Sequence, residues 1–244
     1  MRIATWNCCM GFRGEKAASL KGLEANITIV PECGRRDAHT YAEATAQSVI
    51  WRDGNENSAD GPGRETKGLA VFADNHELSL ASVYADEFRV ILPITLTGNS
   101  PFHLLAVWTK PNSRGREWGY SGMLCRAIEQ YSGFLTEADS LVIGDFNTNK
   151  VFDGERTLNH SEIDRRLTKL GLASAYHAFS GESQGEETHP THYFLRKRER
   201  PFHIDHCYLP NAWLPRLRSV FVGEYSDWVL MSDHAPLVID IDSP

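Results

Sequence analysis

The sequence predicts an α/β fold, with two mixed β-sheets packed face to face and helices covering the outside. Three observations lead there. Short segments rich in Val, Ile, Leu and aromatic residues recur along the whole 244-residue chain. Between 69 and 109 such segments follow one another without a helix, so they are largely antiparallel hairpins. The stretches 1–50 and 102–146 instead alternate strand, helix, strand.

The strand-like segments are RIATWN (2–7), ITIVPE (27–32), SVIWR (48–52), LAVFA (69–73), LASVYA (80–85) and VILPITL (90–96). FHLLAVWT (102–109), SLVIGDF (140–146), FHIDHCYL (202–209), SVFVGEY (219–225) and PLVIDI (236–241) complete the set. Helices are expected over 15–25, 37–47, 119–137 and 160–170. In 119–137, Leu124, Ile128, Tyr131 and Leu135 recur at spacings of four, three and four, which makes one apolar face. In 160–170, Ile163, Leu167 and Leu170 do the same; Asn159 or Ser161 caps the start, Asp164 completes a capping box with Ser161, and Gly171 stops the helix. The polar, glycine-rich run 53–68 reads as a loop inside a single domain spanning 1–244.

Composition narrows the function. Hydrophobic residues make up 41% and charged residues 23%, ordinary for a globular protein. No apolar run approaches the roughly 20 residues of a membrane span. No signal peptide is read at the N-terminus, so the expected location is the cytoplasm. The five cysteines include no C-x-x-C pair and read as buried thiols of a reducing compartment. A net charge of −7 argues against a protein that coats nucleic acid, yet it leaves room for a phosphate-ester enzyme in which a divalent cation supplies local positive charge. Nothing in the chain marks a protein partner.

The polar residues at strand ends carry the chemistry. Asn7 follows RIATW, Glu32 follows ITIVP, and Asp145 and Asn147 follow LVIG. Asp205 sits inside FHIDHCYL, with His203 and His206 flanking it and expected on the other face; Asp233 and His234 precede the last strand. Singly, each has an ordinary role, because an Asp or Asn at a strand end is a turn former. Asp205 is the exception, since an unpaired carboxylate within a buried strand is costly.

Taken together and in order, WN, PEC, GDFN, HID and SDH resemble the endonuclease/exonuclease/phosphatase superfamily, which includes exonuclease III-like and deoxyribonuclease I-like enzymes, sphingomyelinases and inositol-polyphosphate 5-phosphatases. The resemblance runs from Arg2 to Ile241. It implies a four-layer α/β sandwich and Mg²⁺- or Mn²⁺-dependent cleavage of phosphate esters. It implies that Asn7 and Glu32 are metal-site residues, Glu32 being the principal ligand, and that Asp145 orients or deprotonates the attacking water. Asn147 would contact the phosphate, Asp233 would be a second carboxylate near the metal or the acid–base pair, and His234 would contact the scissile phosphate with Asp205 orienting it. Those roles agree with the physics. Mg²⁺ takes oxygen ligands and one or two carboxylates, and an imidazole paired to a carboxylate is held in one orientation with its charged form favoured.

The chain also departs from the family pattern. Many relatives place His or Tyr where Trp108 and Thr109 stand; Lys110, Asn112 and Tyr120 are the candidates to replace it. Pro31 stands where Gln is common. The basic runs RGR (114–116) and RKRER (196–200) are short and read as solvated faces, THPTH (188–192) as a loop without a metal, and Asn159-His160-Ser161 as a helix cap. The leading expectation is a DNA-cleaving phosphodiesterase. A hydrolase of a small phosphate ester or phospholipid headgroup is the alternative, and an inactive binding module of the same fold is the rival from another class.

Overall fold

In the computed structural model, which describes residues 1–55, 66–98, 100–110 and 114–242, strands and helices follow one another as β1 (Arg2–Thr5), α1 (Glu15–Gly22), β2 (Ile27–Gly34), α2 (Arg35–Thr45), β3 (Ser48–Asp53), β4 (Lys67–Ala73) and β5 (His76–Leu80). Next come β6 (Ile91–Gly98), β7 (Phe102–Trp108), α3 (Tyr120–Gln130), α4 (Ser132–Glu137), β8 (Ser140–Asp145), α5 (His160–Lys169), β9 (Leu172–Ser174) and α6 (Ala175–Ser180). The chain closes with β10 (His192–Tyr193), β11 (Pro201–Phe202), β12 (Asp205–Pro210), β13 (Leu217–Val222), α7 (Tyr225–Trp228) and β14 (Leu237–Ile241).

One six-stranded sheet runs β13-β14-β1-β2-β4-β3 and the other β5-β6-β7-β8-β12-β9. Each is mixed: β1 and β2 are parallel, as are β7 and β8, and the other pairs are antiparallel. Each parallel pair is joined by a helical crossover, α1 between β1 and β2 and α3–α4 between β7 and β8.

Side-chain alternation explains the layers. Leu104, Ala106, Leu141, Ile143, Cys207 and Leu209 face the first sheet's Ile3, Ile29 and Leu237 in the central core. Their neighbours Leu105, Val107, Val142 and Tyr208 point outward, where Leu124, Ile128, Tyr131 and Leu135 of α3–α4 and Ile163 and Leu167 of α5 cover them. The expected apolar helix faces are therefore the buried ones. The Asn159 side chain accepts from Glu162 N at 3.0 Å and caps α5; Ser161 Oγ bonds Asp153 instead, so the Ser161–Asp164 box does not form.

Several boundaries differ from expectation. Residues 80–85 are not a strand: β5 ends at Leu80, and a turn closes with Tyr84 N donating to Ala81 O at 3.0 Å. The helix expected over 119–137 is two, jointed at Tyr131, whose hydroxyl accepts from Ala85 N and ties the joint to the neighbouring turn; Ser132 and Gly133, weak helix formers, follow. The strand expected to run to Tyr225 ends at Val222, because at Gly223 the chain turns so closely over Trp228 that a Cβ would meet the indole at 2.6 Å. The segment 202–209 is divided between β11 and β12, and β9 and α6 are additional elements. Most of the loop 53–68 lies outside the described residues, while Asp53 belongs to β3 and Lys67–Gly68 to β4. No described helix is long and apolar enough to cross a membrane.

His203 and His206 pack together with ring centroids 5.1 Å apart, and His160 lies 4.7 Å from His206. Each ring donates one N–H to an oxygen: His206 Nε2 to Thr148 O, His203 Nδ1 to His189 O and His160 Nε2 to Gln184 Oε1. The second nitrogen of each is buried without a partner. Burial lowers the pKa of all three, so the folded chain holds them neutral.

A folded-state pKa below the unfolded one gives stability that is complete above the unfolded value, about 6.5 for His, and is lost as pH falls. The melting temperature is therefore expected to fall from about pH 6.5 to pH 5, as followed by circular dichroism, since nearer pH 7 the raised pKa values of Asp145 and His234 offset the loss. A constant or rising value over that range would contradict the neutral assignment. A second expectation concerns Gly144, with φ +143°, where a Cβ would lie 1.9 Å from Val107 O. Gly144→Ala should destabilise by about 1–3 kcal/mol or more, read by urea denaturation.

Candidate active site

The polar residues expected at strand ends converge at one end of the sandwich. Both sheets contribute. Asn7 follows β1 and Glu32 lies in β2; Asp145 ends β8 and Asp205 opens β12; His234 lies just before β14. Asp145 and Asp205 are direct cross-strand partners, and both are fully buried.

His234 joins them. Its Nδ1 is 2.8 Å from Asp205 Oδ2, and its Nε2 is 4.0 Å from Asp145 Oδ2. Ligand-type atoms of the three side chains lie within 4.8 Å of one another. Burial alone would lower the His234 pKa, but Asp205 and Asp145 outweigh it and raise it to about 10. The ring is therefore an imidazolium, with Nδ1–H donating to Asp205 and Nε2–H directed towards Asp145.

Asp145 is held from several sides. The Asn7 amide donates to Oδ2 at 2.9 Å; Asn147 donates its backbone N–H to Oδ1 and its side-chain N–H to Oδ2, each at 2.9 Å. Asn147 reaches this position with φ +49°, in the left-handed region that Asn tolerates. The turn is anchored beneath by Thr109, whose N–H donates to Asp145 O, whose hydroxyl donates to Phe146 O, and whose carbonyl accepts from Asn147 Nδ2. Burial and then Asp205 raise the Asp145 pKa to about 7, against the opposing pull of His234, Asn7 and Asn147.

Glu32 stands at the mouth. Its φ of +60° marks strained backbone at a bulge, where the β2–β4 register shifts between Val30 and Cys33. One carboxylate oxygen accepts from the Lys67 ammonium and the other lies 3.5 Å from Asn7 Nδ2. The Asn7 amide thus spans Glu32 and Asp145. Asn7 is fixed in turn: its Oδ1 accepts from Cys9 N and its backbone carbonyl accepts from Ser232 Oγ, which also accepts from His234 N.

Asp233 is close to this row but differently engaged. Its carboxylate lies 3.8 Å from His192 Nε2, and its backbone carbonyl accepts from Tyr193 N. Burial opposes the effect, yet His192 and His234 hold the Asp233 carboxyl well below the usual range. Cys9 lies within electrostatic reach of Asp233 and Glu32; burial first, then these two carboxylates, raise its thiol pKa.

Of the residues named to replace the family's His or Tyr, Tyr120 opens α3 within electrostatic reach of Asp145 and Glu32; burial, then those two charges, raise its pKa. Lys110 lies 4.8 Å over the Trp108 ring, and Asn112 is outside the described residues. Sequence reasoning passed over two neighbours. Lys67 is one lysine at the start of a strand, without a motif to mark it. His192 belongs to the run THPTH, and its ring packs 4.6 Å from His234. RKRER is the tip of the β10–β11 hairpin, and Arg196 donates to the Leu230 carbonyl there.

No protein-family model and no curated protein matches the chain in sequence. Solved structures match in shape. The 3′ phosphatase NExo from Neisseria, solved with a product DNA hairpin, aligns over 100% of both chains with a TM-score of 0.69 at 15% identity. An AP endonuclease from Archaeoglobus fulgidus also covers 100% of both, with a TM-score of 0.68 at 16% identity. The AP endonuclease LMAP from Leishmania major gives a TM-score of 0.71 at 12% identity, over 100% of this chain and 88% of its own. Two face-to-face mixed sheets with outer helices, matched end to end in this way, are an AP endonuclease-like fold.

Proposed function

We propose that the chain, as one unit over 1–244, is a metal-dependent phosphodiesterase that cleaves DNA. One observation carries this reading: the buried row Asp205–His234–Asp145, held by Asn7 and Asn147 and opening towards Glu32. Such a row keeps a cation ready to donate beside a carboxylate ready to accept, as a phosphoester hydrolase requires.

Glu32 fits a hard divalent cation; Asn7 does not act as the expected ligand here, because its Oδ1 accepts from Cys9 N and its N–H groups hold the carboxylates. The Lys67 ammonium on Glu32 shows that this carboxylate draws positive charge. The Asn7 amide brings Glu32 and Asp145 to one small region, and Mg²⁺ takes one or two carboxylates. Asp233 adds a further acidic group beside Cys9. When bound, Mg²⁺ or Mn²⁺ polarises a phosphoryl oxygen and offsets charge in the transition state.

The chain's own groups do the rest. Asp145, with its raised pKa, takes a proton from the attacking water, while Asn7 and Asn147 fix its orientation. The His234 Nε2–H donates to a non-bridging phosphate oxygen, and Asp205 keeps the ring charged and aimed. Tyr120 supplies a phenolic donor at the mouth. The fold match to enzymes described as AP endonucleases and to a 3′ phosphatase solved with DNA supports the choice of substrate. The basic hairpin tip at 196–200 adds to it, and the free thiols fit a reducing compartment such as the cytoplasm. The net charge of −7 favours the second reading, a small phosphate ester.

Hydrolysis of bis-p-nitrophenyl phosphate and of DNA is expected in Mg²⁺ or Mn²⁺ and should vanish in EDTA; undiminished activity in EDTA would exclude the metal. Asp145→Asn and His234→Ala should each lose at least about 100-fold in kcat, with melting curves to confirm folding. Wild-type rates in either would remove that residue from the reaction. Glu32→Gln should raise the Mg²⁺ concentration for half-maximal rate by about tenfold or more, the scale of a lost charged ligand. A panel of duplex, single-stranded DNA, RNA, phospholipid and sugar phosphates separates the two readings: turnover confined to the small esters would replace the DNA assignment.

A further inference from the structure

The outer strands β3 and β5 of the two sheets lie side by side, and a cleft of about 610 Å³ opens between them. Its floor is apolar, made by half-buried Val49, Ile50, Leu78 and Leu80. Arg35, Arg52 and Arg89 line it above that floor. The guanidinium of Arg35 lies 6.0 Å from the Trp51 ring centroid and that of Arg52 lies 5.6 Å from Tyr84. Both rings are fixed: Trp51 Nε1 donates to Cys33 O, and the Tyr84 hydroxyl donates to Arg89 O. Arg89 Nη1 donates to Asn55 O. Among the described residues no carboxylate forms an ion pair with any of these three guanidiniums. Asp53 and Asp86 also line the cleft and offer acceptors for N–H or O–H groups.

The cleft adjoins the candidate active site. Gly54, next after Asp53, donates its N–H to Lys67 O at 2.8 Å, and the Lys67 ammonium sits on Glu32. A Cβ on Gly54 would lie 2.6 Å from the Trp108 ring, so the chain passes directly over the end of β7, beside Asp145.

We propose that this cleft is a nucleotide-binding subsite that takes one unpaired nucleotide, its phosphate on Arg35, Arg52 and Arg89 and its base over the apolar floor. The inference deepens the phosphodiesterase reading and rests on it for the identity of the strand that reaches the cleft. A volume of 610 Å³ suits a group of nucleotide size. Bases stack on apolar and aromatic surfaces without regard to sequence, while arginines follow the phosphates. Guanidiniums held against aromatic rings lose little freedom on meeting a phosphate, whose oxygens match their fork. A local cluster of three arginines also shows how a chain of net charge −7 grips a polyanion away from its acidic site.

The test is fluorescence anisotropy of a short fluorescein-labelled oligothymidylate in EDTA over a range of KCl concentrations. The wild-type chain is compared with an Arg35→Glu/Arg52→Glu double variant. The variant is expected to bind about tenfold or more weakly, with the slope of log K against log salt reduced by about 0.7, one phosphate's worth on a single strand. Its bis-p-nitrophenyl phosphate hydrolysis should equal wild type, since neither side chain belongs to the reacting row. An unchanged Kd and slope would overturn the subsite and leave the phosphodiesterase reading standing. Absence of bis-p-nitrophenyl phosphate and DNA hydrolysis by the wild type would overturn that reading, while the EDTA binding data would still decide the cleft. Competition with dTMP distinguishes the sources. Equal weakening of dTMP and oligonucleotide binding assigns the cleft to a free nucleotide; weakening of the oligonucleotide alone assigns it to the substrate strand.

Discussion

Two carboxylates buried side by side, Asp145 on β8 and Asp205 on β12, are the constraint around which the site is organised. Their ligand atoms lie within 4.8 Å. At an effective dielectric near 20, unit charges at that range repel by about 3 kcal/mol. Burial first, and then this repulsion, carry the Asp145 pKa from 3.8 to about 7 against the pull of His234, Asn7 and Asn147. Such a pair cannot stand bare in a core. His234 answers it as an imidazolium between the two, and Asn7 and Asn147 bring amide donors to Asp145.

Much of the surrounding structure serves that arrangement. Gly144 lets β8 pass close enough to β7 for Asp145 to end its strand opposite Asp205. Thr191 accepts from the N–H groups of Ile204 and Asp205, fixing the start of β12, and Thr191 O accepts from Ala235 N, fixing the segment that carries His234. Ser232 ties the same segment to Asn7, so a displacement of one sheet's acid would be felt by the other sheet's amide. The position where relatives place His or Tyr has a different use here. Thr109 is wholly committed beneath the Asp145–Asn147 turn, while Tyr120 comes to the mouth from α3. In the proposed function a donor at the mouth is accordingly assigned to Tyr120.

What could be read from the sequence followed from local chemistry. The strands were legible because short apolar runs buried on both faces have few other homes, and Asn7, Glu32, Asp145, Asn147, Asp205 and His234 were legible because polar groups at the ends of such strands must face something polar. What stayed hidden depends on contacts far along the chain. Residues 81–84 have strand-like composition, but they turn because the Tyr131 hydroxyl and the Pro93 carbonyl take up the neighbouring N–H groups. Lys67 lies 35 positions from Glu32, and one lysine carries no pattern that announces such a partner. His192 was read within a loop; only the folding of β10 against the segment before β14 places its ring on His234. Asp233, expected from the resemblance beside the metal or the acid–base pair, meets the His192 ring at 3.8 Å, a contact that no local pattern announces.

Lys67 also bears on how an acidic site tolerates its own charge. Glu32 adds a third carboxylate beside Asp145 and Asp205, and Asn7 cannot neutralise it, since an amide contributes only a dipole. Without a full positive charge nearby, Glu32 would add repulsion to a row that His234 alone must balance. The ammonium supplies that charge from a half-exposed side chain, where a flexible four-carbon stem can swing away at small cost. On the proposed metal-dependent reading, a divalent cation would bring twice the charge and take Glu32 as a ligand, so it would compete with Lys67 for one carboxylate. The Glu32 backbone, strained at its bulge in β2, fixes where that carboxylate stands.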